Sequence, residues 1–195
     1  MYLYLVRHGQ SEGNVAKTFH GHTDYPLTPL GREQARQAGE KLRDTPFARC
    51  VASDLSRAWD TALACVAGRG IVPERCPGLR EQFVGEMEGL SWEEMERRCP
   101  GVREAYISDW FHTTPPGGES PEEMACRVGI CVDEILRRGE DTLIVAHNGS
   151  LSLALERLGV VGREELLRPD WFFRQGCYTA LEVTEGKGTL LGFNL

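Results

Sequence analysis

Three short apolar runs constrain the fold of this chain more than any other feature. Residues 2–6, 48–52 and 142–146 are nearly continuous rather than alternating, the pattern of strands covered on both faces of a parallel sheet. Strands of that kind need helices above and below. The segments between them carry helix start signals: Thr28-Pro29 before one, Ser53 before another, and Ser91/Glu94 and Ser120/Glu123 at capping-box spacing. Pro121 stands at a first helical position. From Met124, the residues Val128, Cys131, Ile135 and Leu136 keep three- and four-residue spacing, which predicts an amphipathic helix on a core. Residues 178–183 and 189–193 flank Glu185-Gly186-Lys187-Gly188 and read as a closing hairpin. The expectation is an α/β protein: a three-layer sandwich whose mostly parallel central sheet has helices on both faces.

No repeat, low-complexity tract or Ser/Gly linker divides the 195 residues, so one domain over 1–195 is expected. A net charge of −7 makes the chain a poor grip for a polyanion, and no nucleic-acid partner is expected. The first apolar run is cut by Arg7 and is far shorter than a signal-sequence core or a membrane span. A cytoplasmic protein without a membrane partner is expected. Seven cysteines, an odd number with no C-x-x-C pair, suggest neither a disulfide framework nor a thiolate zinc site. They read as reduced, mostly buried thiols.

The rarest polar residues fall where the apolar runs end. The first run leads into Arg7-His8-Gly9, the second through Ser53 to a helix with Arg57 in its first turn, and the third into His147-Asn148-Gly149. In open parallel sheets, ligands gather at these carboxyl ends. Each residue alone has a plain structural explanation: Arg57 can pair with a surface glutamate, and His147 can be a hydrogen-bonded core residue. Their joint placement points to chemistry. A cation in the first turn opposes the helix dipole, a placement that an anion would offset. Two guanidinium groups suit the oxygens of a phosphoryl group, and a neutral imidazole can attack phosphorus to give a covalent intermediate. The leaving alkoxide then needs a proton donor. Glu81 follows a turn-rich stretch, but on spacing Glu86 and Glu88 serve nearly as well.

These residues sit in motifs that resemble those of the histidine phosphatase superfamily, also called the phosphoglycerate mutase-like family. Leu5-Val6-Arg7-His8-Gly9-Gln10-Ser11-Glu12-Gly13-Asn14 resembles its signature. Further matches follow in the family's order: Gly21 with Asp24 and Pro26-Leu27-Thr28, Gly31-Arg32-Glu33-Gln34-Ala35, Ser53-Asp54-Leu55-Ser56-Arg57-Ala58, Glu81, Glu88-Gly89, Gly118-Glu119-Ser120 and Val145-Ala146-His147-Asn148-Gly149. The resemblance spans almost the whole chain. It implies that His8 is the transiently phosphorylated nucleophile and Glu81 the acid/base. It also implies that Arg7, Arg57 and His147 form the phosphate pocket, with His147 taking part in catalysis, and that Asn14 is a further phosphate or supporting ligand. Neither a metal nor a cofactor is implied. His20-Gly21-His22-Thr23-Asp24 carries metal-ligand residue types, yet a loop at the pocket rim is the preferred reading, with His20 and Gly21 beside the substrate. Gln10 departs from the glutamate that commonly follows Arg-His-Gly in the family.

Phosphoglycerate mutases of this family carry a long insertion after the acid/base glutamate, with basic residues that close over the substrate. Here the stretch from Glu81 to Gly118 is short, offering Arg97, Arg98 and Arg103 beside Trp92, Tyr106, Trp110 and Phe111. A small cap over about 82–120 is expected. A mutase must keep water from its phosphoenzyme, so a compact cap favours hydrolysis. Phe83-Val84-Gly85, Asp109-Trp110 and Gln175-Gly176-Cys177 are also similar to the α-ribazole phosphatase branch of the family. The resemblance therefore implies a metal-independent phosphomonoesterase acting on a small phosphorylated metabolite such as α-ribazole 5′-phosphate. A cofactor-dependent phosphoglycerate mutase and a non-catalytic phospholigand-binding module are the alternatives. A homodimer is left open.

Overall fold

The computed structural model describes every residue except Leu167; the side chains of Arg103, named above, and Ile107 also lie outside the described residues. The strands are β1 (Tyr2–Arg7), β2 (Arg49–Ala52), β3 (Glu74–Arg75), β4 (Thr142–Ala146), β5 (Tyr178–Thr184) and β6 (Lys187–Gly192). They form one sheet in the order β3-β2-β4-β1-β5-β6. Neighbours from β3 to β1 pair parallel, whereas β5 is antiparallel to both β1 and β6. The helices are α1 (Glu12–Ala16), α2 (Pro29–Lys41), α3 (Ser56–Cys65), α4 (Trp92–Arg98), α5 (Val102–Ser108), α6 (Pro121–Arg138) and α7 (Asn148–Arg157).

The continuous apolar runs are explained by burial on two sides. Leu3 and Leu5 of β1 join Met124, Val128, Val132 and Ile135 of α6 and Leu151 and Leu155 of α7 in one core cluster. Tyr4 and Val6, on the opposite face, join Ala38 of α2 and Ala62 and Cys65 of α3 in another. Successive side chains of a strand point to opposite faces, so both faces must be apolar when both are covered. Fully burying such a side chain contributes about 1.5–3 kcal/mol.

The helix starts follow their local signals with one exception. Thr28 accepts from the Gly31 amide at 3.0 Å, and Ser91 and Ser120 form reciprocal capping boxes with Glu94 and Glu123. Ser53 does not cap a helix. α3 begins three residues later with Leu55 at its N-cap position, and Asp24 from a distant loop takes up the Ser56 amide and hydroxyl, both at 2.8 Å. The α6 stripe also differs slightly, since Val132 is buried while Cys131 and Leu136 are only half-buried. The thiols correct a further expectation: all seven are free, but only Cys50 and Cys65 are buried and Cys126 is exposed. Cys126 lies on the exposed side of α6, whereas Cys131 packs against the core cluster but is only half-buried. No helix among the described residues is long and apolar enough to cross a membrane.

Strand register sets the site. Arg7 pairs with Ala146 and Ala52 with Val145, and the bonding continues one residue further. The His8 amide donates to the Ala146 carbonyl at 3.0 Å, and the Ser53 amide donates to that of Val145 at 2.9 Å. The order β2-β4-β1 thereby brings Ser53, His147 and His8 together at one edge. Beside this edge, Val84, Met87, Leu90 and Met95 gather a small apolar cluster with Phe19, Val102 and Tyr106 packed against it.

Candidate active site

His8 follows β1 and is almost fully buried. Its Nδ1 lies 2.7 Å from the Gly9 carbonyl. A carbonyl only accepts, so Nδ1 carries the proton and Nε2 keeps its lone pair. Burial, then the guanidinium groups of Arg57 and Arg7, push the His8 pKa well below the ordinary histidine value of 6.5. The ring is therefore neutral near pH 7. His147 lies with its ring centroid 5.0 Å away. The Ser53 hydroxyl meets its Nε2 at 2.9 Å, and burial followed by the charge of Arg57 pushes its pKa down in the same direction.

The two arginines are each anchored by part of the guanidinium only. Arg57, fully buried in the first turn of α3, donates from Nη1 to the Thr23 carbonyl at 2.9 Å and from Nη2 to that of Gly21 at 2.8 Å. Arg7 donates from Nη1 to the Phe173 carbonyl at 3.0 Å and stacks 4.7 Å from the Phe172 ring centroid. Burial lowers both arginine pKa values while the Glu81 carboxylate opposes the shift, and groups that titrate so high remain charged. Five buried side-chain polar atoms among the described residues lack a hydrogen-bond partner, and Arg7 Nε, Arg57 Nε and His147 Nδ1 are three of them. Buried polar atoms are normally paired. Three orphans gathered around one neutral imidazole make a cradle suited to an anion rich in acceptors, which is what a phosphoryl group is.

The loop carrying His20 and Gly21 is clamped from two sides. Glu88 accepts from the amides of Gly21, His22 and Thr23 at 3.0, 2.8 and 3.0 Å and from the Thr23 hydroxyl at 2.5 Å. Arg57 holds the same loop through its carbonyls. A Cβ at position 21 would lie 1.6 Å from the Gln82 carbonyl oxygen, so only glycine allows the approach. Asn14 is engaged with protein partners: its Oδ1 accepts from the Ser11 amide at 3.0 Å and from Gln175 Nε2 at 3.1 Å, and its Nδ2 lies 3.5 Å from His20 Nε2.

The structure separates the three carboxylates that spacing leaves equivalent. The four bonds from the 21–23 loop occupy Glu88, and Glu86 packs beside Gly117. Glu81 accepts from the Gln82 and Gly149 amides, both at 3.0 Å, and lines a cavity of about 260 Å³. A Cβ on Gly149 would come within 2.3 Å of Glu81 Oε1, so this glycine admits the carboxylate to the start of α7. Arg127 of α6 fixes the segment that carries Glu81, donating to the carbonyls of Gly78, Arg80 and Glu81 at 2.9, 2.7 and 2.8 Å. His20 and Gly21 line the same cavity. Sequence reasoning misses Ser53 as the partner of His147, Glu88 as a loop clamp and Arg127 as a support. Their pairings span about 94, 67 and 46 residues, beyond any local pattern.

A three-layer α/β sandwich with paired arginines and histidines at adjacent strand ends defines an enzyme built to hold and transfer a phosphoryl group. The chain belongs to the histidine phosphatase superfamily (branch 1), whose sequence profile matches residues 3–195, and it is a phosphatase of that superfamily. It is 34% identical over 198 residues to the adenosylcobalamin/alpha-ribazole phosphatase of Salmonella typhimurium, covering 100% of this chain and 96% of that one. It superposes on the alpha-ribazole phosphatase of Shigella flexneri with a TM-score of 0.92 at 30% identity, covering 100% and 96% of the two chains. It is also 36% identical over 175 residues to a 2,3-bisphosphoglycerate-dependent phosphoglycerate mutase of Nitrobacter hamburgensis, covering 85% of this chain and 84% of that one.

Proposed function

We propose that the enzyme hydrolyses phosphate monoesters through a phosphohistidine at His8 and that its substrate is α-ribazole 5′-phosphate. The observation that carries the mechanism is the gathering of unpaired Arg7 Nε, Arg57 Nε and His147 Nδ1 around a buried imidazole whose Nδ1 is committed to the Gly9 carbonyl. The substrate assignment is supported by the α-ribazole phosphatase relatives, which match over the whole chain, whereas the mutase relative matches 85% of it.

In the first step His8 Nε2 donates its lone pair to phosphorus as the ester P–O bond breaks. Arg7 and Arg57 neutralise charge on the phosphoryl oxygens, and His147 bonds to one of them through Nδ1. Glu81, in its acid form, gives its proton to the leaving alkoxide. In the second step the Glu81 carboxylate takes a proton from water, the water oxygen bonds to phosphorus, and the P–N bond breaks to restore neutral His8 and release phosphate. Asn14, His20 and Gly21 complete the rim, with Gly21 acting through the carbonyl that orients Arg57. The segment 82–120 forms the cap over the leaving-group side. The free thiols fit a reducing compartment, and the cytoplasm is the proposed location.

Three measurements test these assignments. Glu81→Gln should reduce turnover of alkyl phosphates far more than that of aryl phosphates, whose leaving groups need little protonation. Equal losses on both would remove Glu81 from the acid role. Because the nucleophile must be neutral and its pKa is held well below 6.5, kcat/KM should stay high as pH falls through 6.5 and decline only at lower pH. An acid limb at or above 6.5 would contradict the environment described for His8. Incubation with 3-phosphoglycerate and a bisphosphoglycerate primer should release inorganic phosphate or give no reaction. Rapid isomerisation with negligible phosphate release would favour a mutase.

A further inference from the structure

One wall of the cavity beside Glu81 is formed by Tyr106 and Trp110, and the polar hydrogens of both are spent inside the wall. Tyr106 Oη donates to Gln82 Oε1 at 2.7 Å. Trp110 Nε1 donates to the same Gln82 oxygen at 2.7 Å, with Tyr106 Oη a second acceptor at 3.0 Å. Gln82 is 1% exposed, and its Nε2 donates to the Glu119 carbonyl at 2.9 Å. Phe19 extends the wall, standing edge-on to Tyr106 at 5.8 Å between centroids and 82° between planes. Gln82 is bonded on every side-chain polar atom, yet neither the phosphoryl cradle nor the proton transfer uses that side chain.

The chemical consequence concerns what the wall offers to a leaving group. Tyrosine and tryptophan normally present both a ring and a donor. Here the donors are removed by one acceptor, and ring surface remains. A polyhydroxylated leaving group placed against this wall would lose water from its hydroxyls and find no donor to replace it. A flat aromatic group loses little on desolvation and gains ring contacts.

We propose that Gln82 is a specificity-determining residue, which by accepting from both Tyr106 and Trp110 makes the wall select phosphate esters bearing a flat aromatic group over purely polyhydroxylated ones. This rests on the phosphatase reading above and identifies what sets its leaving-group preference. Gln82 acts through its neighbours and is a positioning residue; Tyr106 and Trp110 supply the surface.

The test compares kcat/KM for α-ribazole 5′-phosphate and ribose 5-phosphate, which break the same kind of primary ester bond and differ in the aromatic base. The unaltered enzyme should favour the former by roughly tenfold or more, the scale of one unpaired buried polar group plus one ring contact. Tyr106→Phe keeps the ring and removes the hydrogen, and should keep that ratio. Gln82→Leu frees both hydrogens and should bring the ratio down to about threefold or less. Trp110→Leu removes ring surface and should also collapse the ratio, so the proposal remains testable if Gln82→Leu does not fold. A merely structural role would lower both rates together and leave the ratio unchanged, which would overturn the proposal. A ratio near one in the unaltered enzyme, with phosphohistidine still formed at His8, would overturn it while sparing the mechanism. Absence of turnover on both substrates would instead remove the reading on which it rests.

Discussion

Replacing His8 with alanine is expected to reduce turnover to background, a loss on the order of a millionfold by analogy with removing the nucleophile of another covalent enzyme. The side chain is small and its Nδ1 bond runs to the neighbouring Gly9 carbonyl, so its removal disturbs no long-range contact made by that bond. Arg7, Arg57 and His147 stay in place, and the variant should still bind vanadate or phosphate. Loss of turnover with retained anion binding is the combined signature. Normal turnover in His8→Ala would place the nucleophile elsewhere, and loss of both properties with a lowered melting temperature would show a folding defect instead.

Arg57→Ala should lower kcat/KM roughly a hundredfold to a thousandfold, about 2.7–4 kcal/mol, the usual effect of deleting one preorganised donor to a developing oxyanion. Two consequences of the deletion act together here. The phosphoryl group loses a buried charge, and the carbonyls of Gly21 and Thr23 lose the donors that hold the rim loop. Arg57→Lys keeps the charge but cannot reach both carbonyls and the anion with a planar fork, so most of the loss should persist. A decrease of less than about threefold in Arg57→Ala, measured on a folded variant, would remove Arg57 from the phosphoryl cradle.

The parallel core of the sheet is legible because burial on both faces leaves a mark that periodicity detects: continuous apolar runs at β1, β2 and β4. β3 has two residues, Glu74 and Arg75, and no apolar pattern can announce a strand that short. Ser53 shows how a local rule misleads. A serine after a strand and before a helix reads as a cap, yet here the hydroxyl holds His147 and Asp24 from a distant loop serves the helix. The phosphoryl cradle was accessible to sequence because each member follows an apolar run or opens the helix beyond it. Spacing alone does not choose among Glu81, Glu86 and Glu88, and only the family resemblance points to Glu81, because the physical choice depends on which carboxylate the 21–23 loop occupies and which one Gly149 admits. Long-range hydrogen bonds of that kind appear only once the chain has folded.

The most direct experiment is an alkaline quench during turnover of substrate labelled in its phosphoryl group, chosen because phosphohistidine is lost in acid and survives base, followed by mapping of the label to a peptide. Label should appear on His8 within the first turnover and disappear as substrate is exhausted. Label on His147, or rapid phosphate release with no labelled histidine at any time, would contradict the covalent route.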